Sequence, residues 1–320
     1  MTYDFYSHLD SRVDSLAQEW LPEGFIGFAS GFVDLCTVAS ARGNRDKSVQ
    51  GRNKSKDGAR DIYVLRTLQH MRKLRGHLPG WFTDLFDVEP LALHPGWLTI
   101  DVSFTLQTPW YSKDDRPFHV LHNPVRKERL FGIPFMSAAS WKGLLRWSMQ
   151  MTQGLIGPEP IEDRQTREVA AATVHHLFGN EKGEDELFQA GALRCYPTWF
   201  SAIDFEVINP HSRKTRAGTN PIYYEVVPAN TNGRLRLLYA PFPRQAEHDG
   251  VDPIFALTTL FHAIERLLTR YGFSAKRTAG WGLAEVNGWK VSGHGGTECG
   301  TREQVTSALK QLLRGRRDAR

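Results

Sequence analysis

The chain has 320 residues, a formal net charge of +5 and 41% hydrophobic residues. This length corresponds to one large domain or two modest ones, with enough apolar residues for a packed core. The mildly basic balance favours an anionic partner such as nucleic acid without establishing one. Because no apolar run reaches the roughly 18 residues of a membrane-spanning helix, no membrane partner is expected.

The cysteines indicate a reducing environment. The three of them, Cys36, Cys195 and Cys299, are far apart, and no Cys-x-x-Cys pair occurs. Neither a disulfide framework nor a zinc knuckle is therefore indicated. The first residues lack the cationic start and apolar run of a signal peptide. We therefore expect a cytoplasmic protein.

Residues 1–90 are predicted to form a basic, partly helical N-terminal extension. Residues 42–58 are rich in Lys and Arg and almost devoid of apolar residues, which predicts a flexible basic loop. Residues 61–75 place apolar side chains at helical spacing, so these side chains are expected to face inward while the cations cover the opposite face. The apolar positions are Ile62, Leu65 and Leu68, and Met71 could extend the pattern.

Residues 91–292 are predicted to form the main domain, and residues 293–320 a C-terminal tail with a short helix. Apolar residues alternate over residues 97–106, which predicts a half-buried strand. Further strands are expected at 192–200, 223–227, 234–239 and 283–291, and helices at about 140–151, 163–177 and 253–271. The order strand, helix, several strands, helix, strand predicts an α+β protein with an elaborated ferredoxin-like fold.

A glycine-rich loop, Phe273–Gly282, follows the last predicted helix of this domain. It combines cations and hydroxyls with an aromatic ring that could stack on a base or pack the turn, and with glycines that let a ligand approach the backbone. That inventory suits a phosphate backbone with bases beside it. An ordinary tight turn with two solvated cations is the alternative. The candidate binding residues are Lys276, Arg277, Thr278, Gly280, Trp281 and Gly282.

A second motif lies at the start of the first predicted helix. Ser137 or Ser140 is expected to cap this helix, whose free N–H groups and dipole favour an anion. Lys142 falls in the predicted first turn, where a cation opposes the dipole, and a ligand phosphate would explain its presence. Arg146 lies one turn further along the same face. Ser140, Lys142 and Arg146 are therefore candidate residues for binding a phosphate group.

Three segments in order resemble the motifs of the RAMP superfamily of CRISPR-associated proteins. They are the run Phe131–Arg146, the Leu177-Phe178-Gly179 triplet before a strand, and the glycine-rich loop. The resemblance covers about residues 95–292. Two aromatic residues depart from the pattern: Trp141 stands where the family has Leu, and Phe273 stands where a glycine is common.

The resemblance implies a RAMP fold, a modified RNA-recognition fold, with the basic N-terminal extension added. It also implies a subunit of a type III-like (Cmr-like) CRISPR effector complex in prokaryotic antiviral defence. Such a subunit binds guide RNA (crRNA) through its backbone and assembles with complementary target RNA and other RAMP subunits. The segment from Asn209 resembles that of a capping subunit, and it adds His211, Arg213 and Lys214 to the candidate RNA-binding residues.

An endoribonuclease that cleaves target RNA or processes CRISPR repeat RNA is the alternative, although a structural role without catalysis is the favoured expectation. Asp114 and Asp115 could bind Mg²⁺ with phosphate oxygens if the chain cleaves target RNA. Otherwise they are turn carboxylates, and no cofactor is expected. His119 and His122 could support metal-free acid–base cleavage. None of the usual hydrolase, kinase or zinc-enzyme signatures occurs in the sequence.

Overall fold

The computed structural model describes residues 60, 63–65, 67–68, 93–115, 119–128, 132–158, 160–180, 189–209 and 221–314. These residues pack as two compact units. One unit combines Pro109–Phe135 and Phe200–Thr231 with described residues from the N-terminal part. The other consists of Val88–Thr108, Met136–Trp199 and Asn232–Arg320. The boundaries predicted at residues 90 and 292 stay a prediction.

Besides helical residues at 60, 63–65 and 67–68, the described part of the chain contains nine strands and five α-helices. The strands are β1 (Leu98–Leu106), β2 (Phe135–Met136), β3 (Leu193–Cys195), β4 (Thr198–Trp199), β5 (Asp204–Ile208), β6 (Ile222–Val226), β7 (Asn232–Tyr239), β8 (Ala284–Gly293) and β9 (Gly296–Gly300). The helices are α1 (Ala138–Thr152), α2 (Arg164–Phe178), α3 (Gln245–His248), α4 (Pro253–Arg266) and α5 (Arg302–Leu313). A π-helical turn, Leu267–Tyr271, extends α4, and a 3₁₀ turn, Arg277–Ala279, lies in the glycine-rich loop.

The larger unit is built on a five-stranded antiparallel sheet in the order β3-β7-β1-β8-β9. Central strand β1 turns every second side chain inward, and Leu98, Ile100, Val102 and Phe104 are fully buried. This pattern is the two-residue period that predicted the strand. Opposite Phe104, Gly233 leaves room for the aromatic ring, because a Cβ there would lie 2.4 Å from ring atoms.

Helices α1 and α4 pack against each other beside this sheet. The Ser148 hydroxyl of α1 donates a hydrogen bond to the Ala263 carbonyl of α4 at 2.8 Å. Helix α4 begins where its sequence predicts, since the Asp252 carboxylate accepts from the Ile254 N–H and Pro253 occupies the first turn. The order β1, α1, β3, β7, α4, β8 confirms the predicted α+β ferredoxin-like class.

Four local features differ from the sequence-based expectations. The single strand predicted over residues 192–200 is divided into β3 and β4, which flank Pro197. Proline lacks an N–H for the sheet ladder and restricts the residue before it, so the strand is interrupted there. The sequence patterns also did not predict β5, β9 and α3, all of which have five residues or fewer.

The smaller unit contains the antiparallel pair β5–β6 and a buried aromatic contact in which Trp110 packs on Phe200 with ring centroids 4.9 Å apart. The described residues of the predicted 61–75 helix are helical and lie in this unit. Their inward residues are Tyr63 and Thr67, both fully buried, whereas Leu65 is 49% exposed. The apolar face expected at Leu65 was therefore wrong. Tyr63 lies inward instead, because its hydroxyl donates a hydrogen bond to the buried Glu225 carboxylate at 2.7 Å.

Within the described residues, no helix is long and apolar enough to span a membrane. No group of three or more His, Cys, Asp or Glu side chains in that same part of the chain is arranged to hold a metal ion.

Candidate nucleic-acid interface

Helix α1 begins earlier than a cap at Ser140 would place it. Ser137 is the N-cap: its hydroxyl oxygen accepts from the Ser140 N–H at 3.2 Å and lies 2.9 Å from the Ser140 hydroxyl. Of the two alternatives, Ser137 is therefore the cap, and Ser140 lies inside the first turn. Lys142 consequently lies at the fifth helical position, past the first turn in which it was expected.

Lys142 lines a cavity of about 330 Å³ between the start of α1 and strand β3. Burial lowers the pKa of Lys142, and the nearby cations Arg146 and Arg194 lower it further. Among the described residues, no carboxylate forms an ion pair with Lys142 or Arg194. Cations gathered without a counter-charge repel one another, and an anion bound between them would relieve this repulsion.

Arg146 has a structural partner at the end of α2. Its Nη2 lies 2.9 Å, 2.7 Å and 3.2 Å from the carbonyl oxygens of Phe178, Gly179 and Asn180. Carbonyls at a helix C-terminus lack intrahelical donors and carry partial negative charge, so a guanidinium satisfies and stabilises them. Arg146 thus fastens α2 to α1, while its contribution to RNA binding stays a prediction.

The Leu177-Phe178-Gly179 motif shapes the same cavity. Gly179 has a φ of +73°, and a Cβ there would lie 2.4 Å from the Gln189 carbonyl oxygen. A Cβ on Gly191 would lie 2.4 Å from the Leu177 carbonyl oxygen. The two glycines let the end of α2 press against Gln189–Gly191, and this second segment forms one wall of the cavity.

In the glycine-rich loop, the glycines serve mainly to close the loop on itself. The Phe273 N–H donates to the Gly282 carbonyl at 3.0 Å. A Cβ on Gly272 would lie 2.8 Å from the Trp281 carbonyl oxygen, and one on Gly282 would lie 2.5 Å from the Ser274 nitrogen. Gly280 also has a positive φ, but no atom lies within 4 Å of the position a Cβ would take there. Only at Gly280 is the backbone open to an approaching group.

The cations of this loop lie beside the later turns of α1. The Arg277 guanidinium lies over the Trp147 ring, 4.4 Å from its centroid, in a cation–π contact. Thr278 is exposed, and Lys276 and Trp281 are half-buried. The Trp281 N–H donates to the Lys276 carbonyl at 3.3 Å, so the Trp281 backbone helps to close the turn. Whether the Trp281 ring also stacks on a base stays a prediction.

The two aromatic residues that depart from the RAMP pattern contact each other. The rings of Trp141 and Phe273 stack with centroids 5.0 Å apart and an interplanar angle of 26°. Trp141 is fully buried, and its indole N–H donates to the Thr198 hydroxyl at 2.9 Å. Each departure therefore provides the packing surface for the other.

The two motifs contact the same helix from different sides. Lys142 and Trp147, on which Arg277 lies, are five positions apart on α1, which corresponds to a rotation of about 140° around the helix axis. Lys142 and Arg146 face α2 and β3 on one side. Arg277 faces the other side, so the structure contains two separate basic positions on either flank of α1.

The nuclease candidates lie in the smaller unit. Asp114 is buried, and its carboxylate accepts from the Lys127 N–H at 3.4 Å. Asp115 pairs with Arg126 at 2.9 Å. His119 Nδ1 accepts from the Leu121 N–H at 3.0 Å, and His122 is exposed. The remaining candidates, His211, Arg213 and Lys214, lie outside the described residues.

Sequence reasoning missed Arg194 and Gln189 as cavity residues. Arg194 lies on a strand of only three residues, and Gln189 follows a segment of mixed polarity. Neither residue therefore belongs to a recognisable sequence motif. The sequence indicated these two residues only indirectly. Both lie close to the Leu-Phe-Gly triplet, which packs against this wall of the cavity.

The sequence profile of the RAMP superfamily matches residues 103–285. No curated protein matches the chain. Among solved structures, a chain from the type III-B Cmr-beta complex bound to cognate target RNA superposes with a TM-score of 0.54 at 14% identity, covering 93% of this chain and 99% of that one. A chain from the Csm3–Csm4 subcomplex of a type III-A CRISPR-Cas interference complex gives a TM-score of 0.41 at 14% identity, covering 69% and 98%.

The match to the family profile extends over more than half of the chain and includes all three motifs. The superposition on the Cmr-beta chain independently supports the same fold. The chain therefore belongs to the RAMP superfamily.

Proposed function

We propose that this protein is a guide-RNA-binding structural subunit of a type III-like CRISPR effector complex. The observation that carries the proposal is the cavity at the start of α1, where Lys142 and Arg194 approach without a carboxylate partner among the described residues. Phosphate is the anion that suits this arrangement, because cations and helix N-terminal N–H groups both favour it. Membership of the RAMP superfamily and the RNA-bound complex from which the similar Cmr-beta chain comes support RNA as the source of that phosphate.

The proposed partners are the guide RNA, its complementary target RNA and other RAMP subunits. Arg277 on the opposite flank of α1 supplies a second point of contact with the same RNA strand. A strand held at two positions along its backbone is bound without reading its bases, as a subunit that accepts many guide sequences requires. We also propose that the protein occupies the capping position of a Cmr-type complex.

Replacement of Lys142 by Ala tests the proposal. RNA affinity, measured by fluorescence anisotropy with a guide RNA carrying a CRISPR repeat sequence, is expected to fall by roughly tenfold. The slope of log affinity against log salt concentration is expected to flatten by about 0.7, since one phosphate contact to single-stranded RNA is lost.

The matched control is Lys310→Ala, which removes the same charge from an exposed position in the last turn of α5. Its affinity and salt slope are expected to stay close to those of the unmodified protein. Equal losses in the two variants would show that only total charge matters, and would contradict a phosphate site beside Lys142.

A further inference from the structure

A buried polar network lies behind the wall of the cavity. His176, near the end of α2, is wholly buried. Its Nδ1 lies 2.7 Å from Asp249 Oδ2, and its Nε2 lies 3.0 Å from the Tyr239 hydroxyl on β7. The Asp249 residue follows α3, so the network joins three elements of the larger unit.

The other carboxylate oxygen of Asp249, Oδ1, accepts a hydrogen bond from the Gln189 side chain. The Gln189 Nε2 donates to Asp249 Oδ1 at 2.6 Å, and the exposed His248 Nδ1 lies 3.2 Å from the same oxygen. Burial raises the pKa of Asp249, but hydrogen bonds from His176, Gln189 and His248 outweigh burial and lower it overall. The carboxylate therefore acts as a charged acceptor between the two side chains.

Gln189 connects this network to the cavity. Its backbone N–H donates to the Asn180 side-chain oxygen, and the Asn180 carbonyl is within reach of Arg146. Gln189, Ala190 and Gly191 line the cavity together with Lys142. The wall is thus held from one side by α1 through Arg146 and from the other side by Asp249.

We propose that Asp249 is a positioning residue for the cavity beside Lys142. It fixes Gln189 with one oxygen and is itself oriented by buried His176 through the other. This inference rests on the proposed function, since it identifies what keeps the phosphate site in shape. Because the wall is already held in place, less conformational entropy is lost when the anion binds. The network therefore raises the affinity for RNA without contacting the RNA.

A charge swap tests whether the contact itself matters. Gln189→Glu places a second carboxylate against Asp249, and we expect the wall to be displaced and RNA affinity to fall roughly tenfold. The double variant Gln189→Glu with Asp249→Asn restores one donor and one acceptor, and it has the net charge of the unmodified protein. Its affinity is expected to return to within about threefold. Asp249→Asn alone is expected to have a small effect, because the Gln189 amide can rotate to accept from Asn.

Cys195 gives a readout that does not depend on RNA. It lines the same cavity, and burial raises the pKa of its thiol to about 12, which keeps its reaction with iodoacetamide slow. Mass spectrometry of the Cys195 peptide is expected to show roughly tenfold faster alkylation in Gln189→Glu. The rate is expected to return to the original value in the double variant. His248→Ala, which removes only the exposed partner of Asp249, is the control and is expected to alter neither measurement.

Two results would overturn the inference. One is unchanged alkylation in Gln189→Glu, and the other is a double variant as impaired as Gln189→Glu alone. If the unmodified protein binds no RNA, the proposed function fails, whereas the alkylation series still decides whether Asp249 positions the wall.

Discussion

Single glycines in the glycine-rich loop have different roles although they share one backbone conformation. Gly280 and Gly282 have φ values of +77° and +81°. Only Gly282 is enclosed, since a Cβ there would lie 2.5 Å from the Ser274 nitrogen. The Gly-Trp-Gly motif predicted close approach by a ligand at both positions. The structure leaves open space at Gly280, where ligand approach stays a prediction, and it assigns Gly282 to packing.

We therefore expect Gly282→Ala to lower the free energy of unfolding by more than about 3 kcal/mol, because strain at positive φ adds to a backbone clash. Gly280→Ala introduces only the strain of a positive φ, because no atom lies near its Cβ position, and it is expected to lower the free energy of unfolding by about 1–2 kcal/mol. Urea unfolding followed by circular dichroism measures both values. Similar losses in the two variants would contradict the distinction.

At the scale of elements, α1 is coupled to the glycine-rich loop through aromatic packing. The Trp141 ring of α1 stacks on Phe273, and Phe104 of β1 packs edge-on against both rings. The loop that carries Arg277 is therefore positioned by the same helix that carries Lys142. The RAMP pattern has a smaller residue at each of the two departing positions, and the contact indicates that the two changes compensate each other.

A double-mutant cycle tests this compensation. Trp141→Leu and Phe273→Leu are each expected to lower the free energy of unfolding by about 2–4 kcal/mol, since each leaves a void in the core. The double variant is expected to lose about 1 kcal/mol less than the sum, because the stacking contact can be lost only once. Strict additivity, measured by chemical unfolding, would show that the two rings do not depend on each other.

At the scale of the whole molecule, residues far apart in sequence share a buried charge network in the smaller unit. The Tyr63 hydroxyl donates to Glu225 Oε1 at 2.7 Å, and Lys127 Nζ lies 2.8 Å from that hydroxyl. Lys127 also pairs with Glu225, and the two side chains are 6% and 0% exposed. Tyr63 thus joins its short helical segment to the buried ion pair of this unit.

Removal of one charge from this network is expected to be costly. Lys127→Met leaves the Glu225 carboxylate buried without a counter-charge, and a loss of about 3–5 kcal/mol in unfolding free energy is expected. Arg126→Met is the neighbouring control. It breaks an ion pair whose Asp115 partner is 67% exposed, so a change of at most about 1 kcal/mol is expected. Equal effects of both substitutions in thermal or urea unfolding would contradict a structural role for the buried pair.

The sequence predicted most of the architecture of the larger unit, although not its edge strand β9 or helix α3. Alternation in β1, the apolar face of α4 and the order of the elements predicted an α+β ferredoxin-like fold, and three short motifs indicated the family. These features are local, because the period of apolar residues reports which side of a helix or strand is buried. The same logic was wrong at Leu65, because an apolar spacing pattern does not detect a buried tyrosine with a polar partner elsewhere.

Tertiary structure alone decided which polar groups meet. Tyr63 and Glu225 are 162 residues apart, and Asp249 and Gln189 are 60 residues apart, so no spacing pattern could have paired them. It also placed Lys142 and Arg277 on two flanks of α1, an arrangement that neither motif could indicate by itself. The physical reason is that burial follows from local apolar patterns, whereas a hydrogen bond or ion pair requires two specific atoms brought together by the complete fold.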